Sequence, residues 1–257
     1  MKFESKVVLI SGGTRGIGKA TALMFAEQGA QLALIYKSDK ESAEQTLREI
    51  ETSFPESKSH RVYACDISDH LAIKETVDAA INDFGKIDIL VNNAAYHTQH
   101  PIDKVDYEDW HHQWQNILNV NLIGTADLSF CVAQNMMAAQ FGKIIFVSSR
   151  GAFRGEPDMP AYGASKAGVN ALAQSLAQKL APYNVHIGVV APGFVETDLT
   201  KSKLEGEQGK AIKAQSPMNR VADPKEIAHA ILFFADEKSV WSTGAILDLN
   251  GASYLRT

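Results

Sequence analysis

The sequence predicts an α/β protein built on a doubly wound, seven-stranded parallel sheet with helices on both faces. Three observations predict it. Seven short apolar runs, rich in β-branched residues, alternate with longer amphipathic stretches. Those runs carry few alternating polar residues, as expected of strands covered on both faces. A glycine turn joins the first run directly to the first amphipathic stretch. Strands separated by helices imply right-handed crossovers and parallel pairing.

In chain order, strands are predicted over 7–10, 32–35, 61–65, 87–91, 143–147, 185–190 and 246–249. Between them the 3.6-residue pattern predicts helices over 17–28, 41–50, 71–84, 117–139, 162–180 and 225–235. The punctuation agrees. Gly29 and Gly85 each follow a helix, Ser68 stands at an N-cap position, and Pro224 suits a first helical turn. No repeat or low-complexity linker interrupts the series, so residues 1–257 read as one domain. Two stretches fall outside the pattern. Residues 96–112 are polar with four histidines, His97, His100, His111 and His112, and read as a solvated loop. Adjacent His111 and His112 would point about 100° apart on a helix, a poor chelating pair, and no metal site is expected. Residues 197–217, rich in Lys, Glu and Gly, read as a mobile helical lid.

Composition narrows the function. A net charge of −5 disfavours a nucleic-acid partner, which needs a basic face. No run of about 18 apolar residues suggests a membrane span. The N-terminus carries no apolar signal region, and the two cysteines, Cys65 and Cys131, lack metal-ligand spacing. They read as reduced packing thiols of a cytoplasmic protein.

The chemistry begins at Ser11-Gly12-Gly13-Thr14-Arg15-Gly16-Ile17-Gly18. A strand, a glycine turn and a helix N-terminus make a Rossmann-like pyrophosphate site, because free N–H groups and the helix dipole favour an anion. The absence of a following Gly-Lys-Ser/Thr disfavours a P-loop. Asp66, just past the third strand, suits either an adenine amino group or a helix cap. Asn92-Asn93-Ala94, past the fourth, reads first as a turn held by side-chain amides. Tyr162 and Lys166 stand at i and i+4 on one helical face. A nearby ammonium is expected to lower the phenol's pKa from its usual ~10 toward a useful range. Ser149, thirteen residues before Tyr162, ends the fifth strand, where its hydroxyl could polarise a carbonyl.

Together Gly12…Gly16-x-Gly18, Asp66, Asn92-Asn93-Ala94, Asn121, Ser149, Tyr162-x-x-x-Lys166, Pro192-Gly193 and Thr197 resemble the short-chain dehydrogenase/reductase family. The resemblance runs from Lys6 to about Gly251. It implies hydride transfer between a nicotinamide and a carbonyl or secondary alcohol. It also implies a catalytic set of Asn121, Ser149, Tyr162 and Lys166, with Asn121 assigned to a proton-relay water. Cofactor contacts are implied at Gly12, Thr14, Arg15, Gly16, Ile17, Gly18, Tyr36, Lys37, Ser38, Asp66, Ile67, Asn93, Ala94, Tyr162, Lys166, Pro192, Gly193, Val195 and Thr197. The Tyr-x-x-x-Lys spacing resembles carbonyl reductases more than enoyl reductases. Three departures stand out: Ala95 where Gly is usual, a longer stretch before Trp114, and Asn250-Gly251-Ala252 in place of Asp-Gly-Gly.

Relatives that use NAD place an acid at the end of the second strand to grip the ribose 2′-hydroxyl. Here that position is Tyr36, followed by Lys37, with Arg15 nearby in the glycine turn. Loss of the acid and gain of positive charge favour NADP, with NAD the alternative. The reading is an NADP-dependent, 3-oxoacyl-reductase-like enzyme acting on a small carbonyl or alcohol. The alternatives are an alcohol or sugar dehydrogenase and a non-catalytic dinucleotide sensor. A homodimer or homotetramer is expected from apolar residues on the long helices, among them Leu118, Leu122, Leu128, Val132, Val169, Leu172, Leu176 and Leu180. Residues 138–141 and 181–184, where carrier-protein reductases of the family place basic residues, hold no Lys or Arg.

Overall fold

The computed structural model describes residues 1–256 apart from 57, 58 and 199. Seven strands form one parallel sheet: β1 Val7–Ser11, β2 Gln31–Tyr36, β3 Arg61–Ala64, β4 Ile89–Asn92, β5 Gly142–Val147, β6 Val185–Pro192 and β7 Ile246–Leu249. Their order is β3-β2-β1-β4-β5-β6-β7. The chain therefore winds outward from β1 to one edge, returns to the centre at β4, and winds to the other edge.

Period-two alternation sorts each strand's side chains between two cores. On β1, Leu9 joins one core with Leu90, Ile144, Val132 and Ala173. Val8 and Ile10 join the other with Phe25, Val91, Ile145 and Ile231. Phe25, Leu9 and Ile10 have no exposed surface, and each such side chain contributes roughly 1.5–3 kcal/mol by leaving water.

The helices are α1 Gly16–Glu27, α2 Lys40–Ser53, α3 His70–Phe84, α4 Tyr107–Leu118, α5 Thr125–Ala139, a single turn α6 Gly151–Arg154, α7 Pro160–Leu180, α8 Gly206–Lys213 and α9 Pro224–Ala235. Gly29 and Gly85 adopt positive φ after α1 and α3, and Pro224 lies in the first turn of α9. The N-cap of α3 is Asp69 rather than Ser68: its carboxylate accepts from the N–H groups of Leu71 and Ala72. Ser68 is bound instead by Asp66, at 3.0 Å through its N–H and 2.8 Å through its hydroxyl.

The largest departure from the sequence reading is at 96–118. The helix predicted from 117 begins ten residues earlier, at Tyr107, capped by the Asp106 carboxylate on the Asp109 N–H. His111 and His112 thus lie on a helix, and Trp110 stacks on Trp114 at 5.8 Å between centroids. His100 is not solvated; it is fully buried. No cluster of metal-ligating side chains occurs among the described residues.

A π-turn, Asn119–Gly124, joins α4 to α5, so the helix runs unbroken from Tyr107 to Ala139. Its length and its mean hydropathy of 1.2 over the best 18-residue window would suffice to cross a membrane. Here it is a core helix: Ile117, Leu128, Val132 and Met136 are buried against the fold. The 197–217 segment is helical, as expected, with a 3₁₀ turn Lys201–Leu204 before α8; its residue 199 lies outside the described residues.

Candidate active site

The carboxyl ends of β1, β4, β5 and β6 bring the candidate residues to one edge of the sheet. Gly12 and Gly16 have φ of +62° and +52°, a region that favours glycine. A Cβ on Gly18 would lie 2.1 Å from the Gly12 carbonyl oxygen, so the turn closes only without one. Helix α1 begins at Gly16 with no side-chain cap and no acid in its first turn. Its free N–H groups and positive dipole end therefore suit a pyrophosphate. The turn is anchored by Asn93, whose Nδ2 donates to the carbonyls of Ser11 and Gly12 at 3.0 Å each. The Ser11 hydroxyl accepts from the Asn93 and Ala94 N–H groups. Asn93 and Ala94 thus hold the glycine turn of β1 in shape, not their own turn as the sequence reading expected, and the Asn92 amide donates to the Ser129 hydroxyl at 2.9 Å. Thr197 arrives from the other side: its methyl would be 3.2 Å from a Cβ on Gly16. Thr14 and Ile67 are buried or nearly so beneath this surface, as are Pro192 and Val195 beside it.

At the second-strand end Tyr36 is half-buried while Lys37 and Ser38 are exposed. Lys37 and Asp66, expected to meet different parts of a dinucleotide, meet each other: Nζ lies 2.6 Å from Oδ2. Burial pushes the Asp66 pKa up, but hydrogen bonds from Lys37 and Ser68 outweigh it and lower the pKa overall. A cofactor phosphate would compete with Asp66 for Lys37. Arg15 is exposed and close enough to Asp39 to help lower its pKa, after the Ser42 hydrogen bonds.

Tyr162 and Ser149 meet. The serine hydroxyl is near enough to the phenol to hold its pKa down in part, and it accepts from the Gly151 N–H at 3.0 Å. Lys166 lies one turn along α7, with Nζ 5.9 Å from the Tyr162 ring centroid. That ammonium donates to the Val147 carbonyl at 2.7 Å and is 4% exposed as a residue. Burial lowers its pKa to about 8.

The expected fall in the phenol's pKa does not occur. Burial of the hydroxyl raises the Tyr162 pKa, and the Ser149 hydrogen bond only partly opposes this; Glu156 adds to the rise. Desolvation is the largest influence, and the Lys166 ammonium, which donates to the Val147 carbonyl, is not among the charges that shift the phenol. Tyr162 is therefore protonated at neutral pH.

Asn121 sits within the π-turn, and its amide is fully engaged. Nδ2 donates to the Tyr96 carbonyl at 2.9 Å and to the Ser165 hydroxyl at 3.1 Å, while Oδ1 accepts from the Tyr96 N–H at 2.7 Å. The side chain pins the 96 segment to α7.

Two further residues come to the site from the polar segment. The His97 ring stands edge-on to Tyr162, with centroids 6.0 Å apart. Partial burial, then the Lys203 and Lys166 charges, lower its pKa. His100 accepts the Ala161 N–H on Nε2 at 3.2 Å while Nδ1 donates to the Thr98 carbonyl at 3.0 Å. It thereby terminates the helix that carries Tyr162. Composition offered no signal for either. The 4,3 spacing of Trp110, Trp114 and Ile117 behind Asp106 would have revealed the helix beside them.

These features have counterparts in known proteins. A profile of the family described as enoyl-(acyl carrier protein) reductase matches residues 12–251. The chain is 36% identical over 255 residues to the 3-oxoacyl-(acyl-carrier-protein) reductase of Vibrio cholerae, spanning 99% of this chain and 100% of that one. It is 35% identical over 251 residues to the enzyme of the same name from Thermotoga maritima, spanning 98% of each. A solved structure of NAD⁺-bound xylitol dehydrogenase superposes with a TM-score of 0.87 at 30% identity, over 96% of this chain and 98% of that one.

Proposed function

Because the chain belongs to the short-chain dehydrogenase/reductase family and is an NAD(P)-dependent oxidoreductase acting on CH–OH groups, we propose that it is an NADP-preferring reductase of 3-oxoacyl-type carbonyl compounds. The observation that carries the reading is the placement of the Ser149 hydroxyl beside the Tyr162 phenol, with the Lys166 ammonium one turn along the same helix. A group that holds its proton at neutral pH is set to give it to a nascent alkoxide, which is the demand of carbonyl reduction. The three-residue gap between Tyr162 and Lys166 and the names of the two bacterial relatives favour a 3-oxo over an enoyl substrate.

The uncapped α1 N-terminus and the Gly12–Gly18 turn suit the cofactor's pyrophosphate, and Lys166 and Thr197 flank the rest of its path. Once bound, the nicotinamide supplies or accepts the hydride. Ser149, held by Gly151, donates to the substrate oxygen and orients it toward the phenol. Tyr162 delivers its proton to that oxygen. Lys166, tied to Val147 one turn along α7, keeps a positive charge between the phenol's helix and the cofactor's path. Asn121 and His100 act by position, fixing the 96 segment and the start of α7 relative to the phenol.

The NADP preference rests on Tyr36 in the place of an acid and on Lys37 and Arg15 beside it. It requires Lys37 to leave Asp66, an exchange of one exposed ion pair for a doubly charged phosphate. NADPH is expected to bind more tightly than NADH in direct titration, and Lys37→Glu to shrink or invert the difference. Equal dissociation constants for the two cofactors would refute the preference. An NAD-linked alcohol or polyol dehydrogenase is the second reading, favoured by the likeness to a xylitol dehydrogenase captured with NAD⁺. A panel of 3-oxo esters, free and thioester-linked, against polyols separates the two. The lack of Lys or Arg in 138–141 and 181–184 leads us to expect free or coenzyme-A-linked substrates to be used at least as well as carrier-linked ones. The cytoplasmic placement read from cysteine usage is part of the same proposal.

A further inference from the structure

Arg150 follows Ser149 but serves a different cavity. Its N–H donates to the Pro192 carbonyl at 2.9 Å, and its side chain turns away from Tyr162 into the interior, 3% exposed. The guanidinium lies 5.1 Å from the Phe194 ring centroid. It donates to the Ser253 hydroxyl and to the Gln215 side-chain carbonyl, both neutral. No ion pair within 4.0 Å involves it among the described residues, and the two acids that share its cavity are engaged elsewhere. Glu226 holds Arg220 at 2.6 Å and Asp248 holds Arg256 at 2.7 Å.

A buried cation without a counter-charge is costly, and such groups are ordinarily paired. Desolvation accordingly lowers the Arg150 pKa, and of the charges acting on it Arg154 adds to that fall while Glu156 opposes it.

The cavity it lines has a volume of about 240 Å³, room for a small organic molecule. Phe194, Ile212, Met218 and Leu249 give it apolar walls, and neither Tyr162 nor the glycine turn reaches it. A second group in its lining lacks a partner: Asp248 Oδ1 is buried and accepts nothing, although Oδ2 is bound to Arg256. The cavity thus offers a fork of donors matched to a carboxylate and an acceptor oxygen matched to a hydroxyl or ammonium.

We propose that this cavity is a binding site for a small carboxylate that also bears a hydroxyl or amino donor, with the carboxylate on Arg150 and the donor on Asp248. Its walls come from the segment after α8, through Gln215 and Ser216, and from the tail at Ser253. An occupant would therefore fasten the lid segment to the C-terminal tail, behind the reaction site rather than in it.

The test is calorimetric titration of the cofactor-free enzyme with lactate, serine and acetate at matched ionic strength, with thermal denaturation alongside. Lactate or serine should bind saturably in the millimolar range, acetate more weakly, and chloride not at all. Arg150→Met should abolish binding while melting no lower than wild type, because it removes an uncompensated buried charge. Arg150→Lys should keep a weaker response, which guards against a misfolded methionine variant. Tyr162→Phe should leave binding intact. The inference is overturned if none of the three compounds binds saturably, or if Arg150→Met binds as wild type does. It is equally overturned if binding is lost in Tyr162→Phe but kept in Arg150→Met, which would put the ligand in the reaction cleft. A lower melting temperature for Arg150→Met without any ligand response in wild type would make Arg150 a clamp between Gln215 and Ser253 and nothing more.

Discussion

Tyr162 and Lys166 occupy neighbouring turns of one helix, yet burial drives their protons in opposite directions: the phenol keeps its proton and the amine loses it more easily. Tyr162→Phe should remove the donor and keep the ring's packing, so turnover should fall more than tenfold, over about 1.4 kcal/mol in barrier, with little change in cofactor affinity. Steady-state rates with direct cofactor titration check this, and retention of a tenth of wild-type turnover would refute the assigned proton donor. Lys166 adds a stability signature. Its folded pKa is about 8 against a usual 10.5, so below pH 8 both folded and unfolded chains hold the proton and the folded one bears the full penalty. Between pH 8 and 10.5 the unfolded chain binds more protons, and stability contributed by this site rises with pH. The penalty is about 3 kcal/mol, offset by roughly 1 kcal/mol for the bond to Val147. Lys166→Met should therefore be more stable than wild type at pH 7, by about 1–2 kcal/mol, and the gap should narrow by pH 10. Denaturant unfolding at both pH values reads it; a gap that widens with pH would contradict the buried-charge account. The meeting of Ser149 with Tyr162 followed from motif spacing. The direction of the phenol's shift did not, because it depends on where Nζ points and how much water is excluded, neither of which spacing encodes.

Helix termini were legible where a single residue decides them and illegible where two candidates compete. Asp223 begins α9 with a reciprocal cap: its Oδ1 accepts the Lys225 N–H at 2.7 Å, and its own N–H donates to Glu226 at 2.8 Å. The helix buries Ile227, Ile231 and Phe234, so its start fixes much of one core. Asp223→Ala should cost about 1 kcal/mol, seen as a lower denaturation midpoint with an unchanged slope. An unchanged midpoint would show that packing alone holds the helix. At α3 the sequence pointed to Ser68 or Asp66 as the cap, but Asp66 binds Ser68 and leaves Asp69 to cap the helix. The 96–118 region was misread for another reason. Polar composition hid a helix whose buried stripe is only Trp114 and Ile117 deep at its start, and the π-turn at Asn119–Gly124 breaks the 3.6-residue period that would have extended it backward. His100 shows the limit of composition: a histidine in a polar run is buried because two backbone groups, Thr98 and Ala161, need its nitrogens.

At the scale of the molecule, strand number, parallel pairing and helix placement followed from the alternation of apolar runs. The expected dimer or tetramer rests on part of the basis the sequence suggested and on two residues it did not name. Leu128, Val132, Val169 and Leu180 are spent in the core, Leu118, Leu122, Leu172 and Leu176 are half-buried, and Ile123 and Phe130 on the long helix are 52% and 65% exposed. Self-association across that helix remains our expectation. Light scattering at micromolar concentration should give a multiple of 28.0 kDa, and Phe130→Glu should lower it; a monomeric mass for wild type would refute it. The strand order has a last consequence. Because the chain returns to the centre at β4, residues proposed for the dinucleotide's adenosine end hang from β1, β2 and β3, whereas the proton donor and its neighbours hang from β5, β6 and α7. The two flanks touch through the β1–β4 seam, where Ser11 and Asn93 interlock, and again where α1 packs on α9 and Thr197 meets Gly16. Choice of coenzyme and choice of carbonyl can therefore be inherited separately. A change confined to the loop after β2 would meet the coenzyme's far end without touching Ser149 or Tyr162, so a lineage on this scaffold could exchange its reductant without relearning its reaction.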